Sequence, residues 1–522
     1  MKTKAYGSNM INLGIKHASI ASFVALAKMT SAIMGGIMLI LVARMIGPVQ
    51  YGIYTIAIAV AGLLASFGSI NAGLYFNKHI PKLISENKFK DIGILICDVI
   101  LFLFLLSFAL IFIGGIFAVN ISQSIFQSSS YTLIIYIALL SITWSIIYPA
   151  LTAALINFGT AKEVGLSSAS GLVIQSVLSI ALAALGFGAV GIMSAYVISV
   201  FLATIISMYF IFKHVKLRFV LHGILKRMHE MLVFSIPLTV SSLLISLLNN
   251  FVVILLALLL ISTTAIGQYG IATKVGQVFD IASGAIGSVL VAMFATAIYN
   301  RHHISKIEKL YQNSVYYSLI FTMPLVAYAS ILSKDIVITV FTSAYNLAIL
   351  YMPLVSVGIL LNLVWNNAFA LIVSLGRVKR VLKFSIVACV IQLVSMIVFG
   401  MLFGILGVIL GYFYIGNMAF LALYFKELYK FKIKLKYVPL LRVIFSNLIF
   451  GIALIPLIFL QIRPLYCLMI GMAIFLVLYP IALIKTRAVS YKEINVLYKV
   501  SNQVPLCGSL FRAMLRYSQH FL

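Results

Sequence analysis

Acidic side chains are scarce in this sequence: ten Asp and Glu stand against 37 Lys and Arg in 522 residues. With nearly all of those carboxylates in connections between apolar runs, a paired-carboxylate mechanism has no evident site. There is no P-loop, no H-E-x-x-H, no G-x-S-x-G elbow and no metal-spaced Cys/His cluster. No enzymatic activity, cofactor or metal is therefore expected. Cysteine is also rare. Cys97, Cys389, Cys467 and Cys507 are scattered and form no C-x-x-C, which argues against a disulfide framework. Cys507 reads as an ordinary free thiol, with acylation as the alternative. Charged residues of both signs make up 9% of the chain. A soluble domain carries roughly 25%, so a water-soluble globule is excluded.

What the sequence has instead is apolar length. It is 63% hydrophobic, with a mean hydropathy of +1.16. Apolar runs long enough to cross a bilayer recur from end to end, where a β-barrel would show short alternating segments. The expected fold is an all-α polytopic membrane protein of about fourteen spans. They run over 17–43, 51–76, 92–118, 131–156, 164–186, 189–212, 232–261, 268–299, 312–333, 346–374, 382–403, 406–425, 438–460 and 464–484. The first run is too long for a signal-peptide core and lacks a small-residue cleavage site, so it is expected to be retained.

The connections alternate in charge. One side carries 32 of the 37 basic residues, and the other only Arg44, Lys334 and Arg463; Lys28 and Lys274 fall inside spans. Loops rich in Lys and Arg stay in the cytoplasm, so both termini are expected there, in an inner (cytoplasmic) membrane protein. The surplus of +27 is thus a topology signal that also attracts anionic lipids. No aromatic-interleaved basic fold is visible, and nucleic acid is not an expected partner.

Arg44–Tyr54, reading R-M-I-G-P-V-Q-Y-G-I-Y, separates the first two spans and has an echo: Gln50-Tyr51-Gly52-Ile53 recurs as Gln268-Tyr269-Gly270-Ile271. Gly47 and Pro48 supply a turn, and Tyr51 and Tyr54 suit headgroup-level anchors. Gly159, Lys162 and Gln175 recur as Gly376, Lys379 and Gln392, displaced by 217. Gly188-x-x-Gly191-x4-Tyr196 matches Gly404-x-x-Gly407-x4-Tyr412, displaced by 216. Two six-helix lobes follow, 1–218 and 219–435, related by a pseudo-two-fold along the membrane normal because six spans is an even number. Residues 436–485 add two helices outside the repeat, and 486–522 form a cytoplasmic tail with an amphipathic piece around Leu510–Phe521.

Ionisable groups inside spans are costly and mark candidate sites. Lys28 lies eleven residues into the first span, roughly 16 Å deep at 1.5 Å per residue. It faces either a wet cavity or an acidic partner. Lys274, Gln277 and Asp280 form a polar ridge on the eighth span; Lys274 can also snorkel outward. Asp280 is a counter-ion for Lys28 or Lys274, or else a protonatable group, and Asp98 is a boundary residue or a relay. Arg44 at the outer mouth, with Lys78 and His79 at the inner rim, are candidates for phosphate contact, each with an ordinary interfacial role as the alternative. Asn249 and Asn366, among several in-span amides, suit sugar hydroxyls or interhelical hydrogen bonds. Gln175 and Gln392 hold matching repeat positions, which favours a structural role.

The R-x-(I/L)-G-P-x-x-Y-G turn carried by Arg44, Gly47, Pro48, Tyr51 and Gly52, followed by G-L-Y-F-N-K-H-I-P from Gly73 to Pro81, resembles the multidrug/oligosaccharidyl-lipid/polysaccharide exporter superfamily. Over about residues 10–485 the chain is most similar to its polysaccharide-biosynthesis flippases. That resemblance implies alternating access between two lobes and a cargo of polyprenyl-(mono- or di)phosphate-linked glycan. The lipid tail of the cargo would stay in the bilayer, and glycosyltransferases or a polymerase of the same pathway would be further partners. In-span charge is two Lys against Asp98 and Asp280, and Arg44 and Lys78 at opposite mouths add the positive bias that a phosphate-bearing cargo needs along its route. A multidrug cation antiporter of the same superfamily is the alternative, and a non-transporting envelope-biosynthesis scaffold is another.

Overall fold

In a computed structural model, the structure describes residues 2–489 apart from 69, 71, 221, 280–293, 295–303 and 461; side chains are described from 34 onward, apart from 74, 161, 234, 236–238, 241 and 378. Lys28, whose side chain precedes that limit, Asp280, and the tail around Leu510–Phe521 lie outside the described residues.

Among the described residues every regular element is a helix. In chain order these are α1 (Lys2–Gly68), α2 (Ala72–Ser85), α3 (Phe89–Ile116), α4 (Ala118–Phe126), α5 (Thr132–Asn157), α6 (Ala161–Ala184), α7 (Gly188–His214) and α8 (Ile224–Leu258). Residues 263–279 form α9. Then come α10 (Ile304–Ile331), the short α11 (Ser333–Ile336), α12 (Ala348–Ser374), α13 (Val378–Ile409), α14 (Asn417–Lys430), α15 (Tyr437–Phe459) and α16 (Pro464–Lys485). Ten described helices are long and apolar enough to cross a membrane, and Ser242–Leu258 of α8 is a shorter apolar stretch.

Two of the ten are interrupted. Within α1, Gly47 adopts φ 72°, ψ 173°, a conformation that an L side chain resists and that stops helical hydrogen bonding just before Pro48. Within the apolar stretch Lys379–Lys430, Gly404 does the same at φ 58°, ψ −135°, ahead of a π-helical stretch, Leu410–Gly416. The turn expected at Gly47–Pro48 is there. Large apolar side chains cover the outer faces: Leu105, Phe108, Phe112 and Ile116 of α3 are each more than half exposed. Such a face is stable against acyl chains, not water.

The described chain divides into two compact units, Met1–Gly267 and Gln268–Leu522. Inside the first, α6 and α7 pack on α1 and on each other, and α5 packs on α7. The second half of α1 also meets α8. There the Asn250 amide lies against the bare Cα of Gly62, and the Ser66 and Ser246 hydroxyls are 2.8 Å apart. Asn250 is therefore a helix-packing amide, its Nδ2 donating to the Ser246 carbonyl at 2.9 Å.

The repeated sequence positions have repeated backbones. Gly159 (φ 75°) ends α5, and its N–H donates to the Ile156 carbonyl while that of Thr160 donates to Leu155. Gly376 (φ 73°) ends α12 with the same pair of bonds, to Val373 and from Arg377 to Ile372. Both are left-handed helix closures of the kind glycine favours. Gly188 (φ 54°) and Gly404 (φ 58°) likewise share a left-handed φ. Gln392 donates to the Tyr412 carbonyl at 2.9 Å, which fits the structural role expected of it.

One expectation fails. Tyr51 and Tyr54 are not exposed anchors at the headgroup level. They are 3% and 8% exposed, with ring centroids 5.9 Å apart, and the matching Tyr269 is 3% exposed. The physical reason is the glycine beside them. Gly52 lets the α1 break press so closely on residues 263–267 that an added Cβ would overlap the Thr263 carbonyl oxygen. The tyrosines are drawn inward with it.

Candidate functional site

In the first unit the ionisable groups gather at the basic end. α2 is amphipathic: Ala72, Tyr75, Phe76 and Ile80 are buried at helical spacing, which turns Asn77 and Lys78 to the wet face. His79 stands between, half-buried, its ring 4.4 Å from that of Tyr75. Burial, then the neighbouring Lys78 and Lys82, hold the His79 pKa below its ordinary value, with Glu230 opposing. At neutral pH the ring is therefore a neutral hydrogen-bonding group and not a second cation beside Lys78.

Asp98 of α3 is buried, at 5% exposure, and it is not alone. Arg227 of α8 grips it with two bonds, Nε to Oδ2 at 2.5 Å and Nη2 to Oδ1 at 3.2 Å. The same guanidinium donates to the Val220 and His222 carbonyls, both at 2.7 Å. One arginine thus neutralises the carboxylate and also fastens the connection between α7 and α8. A two-bonded guanidinium–carboxylate pair is a strong arrangement, and taking away the arginine would leave a buried charge uncompensated at a cost of about 3 kcal/mol. Glu230, one helical turn on, acts electrostatically on both Tyr75 and His79.

The other end of the first unit is built on glutamine. The N-terminus of α7 leaves backbone N–H groups without helical partners. The Gln50 side-chain oxygen accepts from Ala189 N at 3.1 Å. In the second unit the matching Gln268 accepts from Leu347 N at 2.6 Å and Ala348 N at 3.2 Å, at the start of α12. The repeated Q-Y-G-I is therefore a helix-capping device, used on a different helix in each unit. Arg44 lies three residues before the Gly47 break and is exposed.

The second unit carries polar side chains along α9 and α12. Helix α9 packs on α12 where Gly276 meets Ile359 and Val355. Lys274 and Gln277 on α9 are exposed and joined, Nζ to Oε1 at 3.3 Å. On α12 Asn366 is exposed and donates to the Asn362 amide oxygen at 2.9 Å. An ammonium and several amides on two packed helices offer hydrogen bonds to hydroxyls and to anionic oxygens alike. Asn249, in the first unit, is also exposed.

Of the sequence candidates, the structure thus brings together Lys78, His79 and Asp98 at one end of the first unit, and pairs Lys274 with Gln277 on α9 of the second, while Asn366 pairs with Asn362 on α12. Arg44 and Asn249 stand apart from the first group, near the α1 break and on α8. Sequence reasoning missed Arg227, which it counted among the topology charges of a loop, and Glu230, Gln50 and Gln268. The repetition of Q-Y-G-I was the available signal for the two glutamines. Arg227 had no signal, because its partner is 129 positions away.

A family model described as polysaccharide biosynthesis protein matches residues 20–298, more than half of the chain. Among curated proteins none matches the sequence. Solved structures do match. The lipid II flippase MurJ in an inward closed conformation aligns at a TM-score of 0.69 and 17% identity, over 89% of this chain and 98% of its own. An inward-facing multidrug resistance MATE family transporter of the MOP superfamily aligns at 0.57 and 17%, over 79% and 94%. A MOP superfamily transporter from Pyrococcus furiosus Vc1 aligns at 0.52 and 15%, over 80% and 95%. At these identities the likeness shows the fold.

Proposed function

We propose, from the premise that this chain belongs to the polysaccharide biosynthesis protein family, that it is a flippase carrying a polyprenyl-phosphate-linked oligosaccharide across the cytoplasmic membrane by alternating access. It is a multi-pass helical membrane protein with the fold of the MOP-superfamily transporters. The task is translocation for surface polysaccharide or glycoprotein assembly, without a chemical step of its own.

The observation that carries this reading is the Asp98–Arg227 pair. A cation antiporter needs a buried carboxylate available to the cation or to a proton. Asp98, one of two carboxylates that the sequence puts inside spans, is already neutralised by two hydrogen bonds from Arg227. Meanwhile Lys274, which the sequence puts inside a span, is exposed and bonds only the Gln277 amide among the described residues. The remaining balance is positive, as a phosphate-bearing headgroup requires. Lys28 extends that bias on sequence grounds, and Gln277, Asn249 and Asn366 supply amides for the glycan.

Fourteen spans in two six-helix lobes plus two helices complete the reading. The Gly47 and Gly404 breaks support the count, since each divides one long apolar helix into two. The shared left-handed glycines at 159 and 376 support the repeat. The basic side is assigned to the cytoplasm by the excess of Lys and Arg there. Loading begins at that side, near Lys78. Rocking of the lobes then exposes the cargo toward Arg44, where a polymerase or glycosyltransferase removes it.

The test is a flipping assay in proteoliposomes with a fluorescent polyprenyl-diphosphate oligosaccharide. Wild-type protein should move the label, and Lys28→Ala should slow it about tenfold or more, the worth of one charge-assisted hydrogen bond. Export of organic cations without movement of the glycolipid would replace this reading with the antiporter. Glycolipid movement at the wild-type rate in Lys28→Ala and Lys274→Gln alike would remove the cation-lined route. Collapse of the proton and sodium gradients separates ion-driven from cargo-driven flipping.

A further inference from the structure

Helices α15 and α16, the pair outside the repeat, form a hairpin whose start and end meet at the basic side, tied by the Ser446 and Thr486 hydroxyls 2.7 Å apart. Against α10 they border an open cavity of about 290 Å³. Three cations line it, Lys436, Arg442 and Arg487, together with the amides of Gln312 and Asn313 and the ring of Tyr316. No carboxylate is among its described lining residues. The nearby Glu308 is engaged elsewhere, accepting from Lys434 N at 3.1 Å. Arg442 is held in place by donating one Nη1 bond to the Arg487 carbonyl at 3.2 Å, which among the described residues engages one of its five N–H donors.

Arg442 also borders a second, apolar groove of about 540 Å³ that runs along α15 past Val438, Leu441, Phe445 and Leu448, with Lys485 at its end. Those four apolar side chains are each more than half exposed. Ordinary topology charges would lie on loops facing water, each with its own hydration. Here Lys436, Arg442 and Arg487 converge on one concavity, and Arg442 also lines the apolar groove beside it. Among the described residues none of Lys436, Arg442, Lys485 and Arg487 has a carboxylate within ion-pair distance.

We propose that this corner is a binding site for an anionic phospholipid of the bilayer, its phosphodiester in the Lys436–Arg442–Arg487 cavity and an acyl chain along the α15 groove. The charge in the cavity calls for an anion, and the groove beside it calls for a hydrocarbon tail on the same molecule. Free phosphate satisfies only the first. The site is independent of the cargo: it lies on α10, the two added helices and the residues that flank them, and it stands or falls apart from the flippase reading.

The experiment is native mass spectrometry of the full-length protein in detergent, equilibrated with phosphatidylglycerol or phosphatidylcholine. Arg442→Gln with Arg487→Gln should weaken phosphatidylglycerol retention about thirtyfold, from roughly 1 kcal/mol per cation near an anionic headgroup. The charge-matched Lys379→Gln with Lys383→Gln on α13 should change it less than about threefold. Phe445→Ser should also weaken retention, and millimolar inorganic phosphate should not displace the lipid; displacement would reassign the cavity to a free anion. In the unaltered protein, a photoactivatable phosphatidylglycerol should label the peptides carrying Lys436 and Arg442, a readout that does not depend on any variant folding. Equal losses in the two double variants, labelling confined to other helices, or a preference for the polyprenyl glycolipid over phosphatidylglycerol at these residues would each overturn the proposal.

Discussion

The same corner is fastened differently in the two units. In the first, where α6 begins and α7 ends, Glu163 takes a hydrogen bond from His214 Nε2 at 2.8 Å, and the His214 ring stacks on Phe158. Displaced by 217, Glu163 becomes Arg380; displaced by 216, His214 becomes Lys430. The second unit therefore puts two cations where the first has an acid and an imidazole. Left alone they would repel. Glu427 of α14, fully buried, lies between them: Arg380 donates to its Oε1, and Lys430 is 3.4 Å from its Oε2. The lesson is that a repeat can conserve a fastening while exchanging its chemistry. One version is a partly exposed pair that includes an imidazole, and the other is a buried carboxylate bridging two permanent cations.

The chain contains its own means of probing this contrast, because its two tryptophans are divided between the units. Trp144 meets Phe201 edge-on in the first unit, and Trp365 stacks on Phe420 and Tyr424 beside the second corner. A Trp→Phe change at either one leaves the other to report its own unit in a thermal melt.

The largest effect is expected from Glu427→Gln. It removes the bridge and leaves Arg380 and Lys430 facing each other, so the Trp365 transition should lose about 3 kcal/mol while the Trp144 transition stays. Equal shifts in both transitions would mean that the fastenings are not local to their units. Glu163→Gln should cost far less, about 0.5 kcal/mol, because its pair is partly exposed and screened by salt, and should move only the Trp144 transition. A loss as large as that of Glu427→Gln would erase the contrast between buried and exposed versions. The smallest effect concerns acid. The lowered pKa of His79 means the unfolded chain takes up a proton there before the folded one does. Stability contributed by this neutral ring is therefore present above the ordinary histidine pKa and declines as pH falls below about 6.5. His79→Gln should flatten the acid side of the Trp144 transition slightly and leave that of Trp365 unchanged.

Local features were legible in the sequence and distant ones were not. The apolar runs became helices because length and hydropathy suffice for that. The left-handed turns at Gly47, Gly159 and Gly376 follow from a residue type that tolerates them. By contrast, Asp98 could be seen only as a carboxylate near a helix end; that Arg227 holds it depends on how α8 packs against α3. Glu427 looked like one loop-edge charge among several, although it is the buried centre of a triad. Tyr51 and Tyr54 misled because aromatic residues beside a turn commonly mark an interface, while the close backbone approach of Gly52 buries them here. Lys28 and Asp280, the boldest readings of charge at depth, rest on sequence alone.

The meeting of Gly52 with residues 263–267 has a practical corollary. At Gly267 an added carbon would collide with the Pro48 carbonyl, just as one at Gly52 would collide with Thr263. Two hydrogens are all that separates the chains there, so a single methyl is enough to act as a doorstop. An alanine at either place would prop this seam ajar, a small change with which to ask whether the packing of the first unit depends on its being shut.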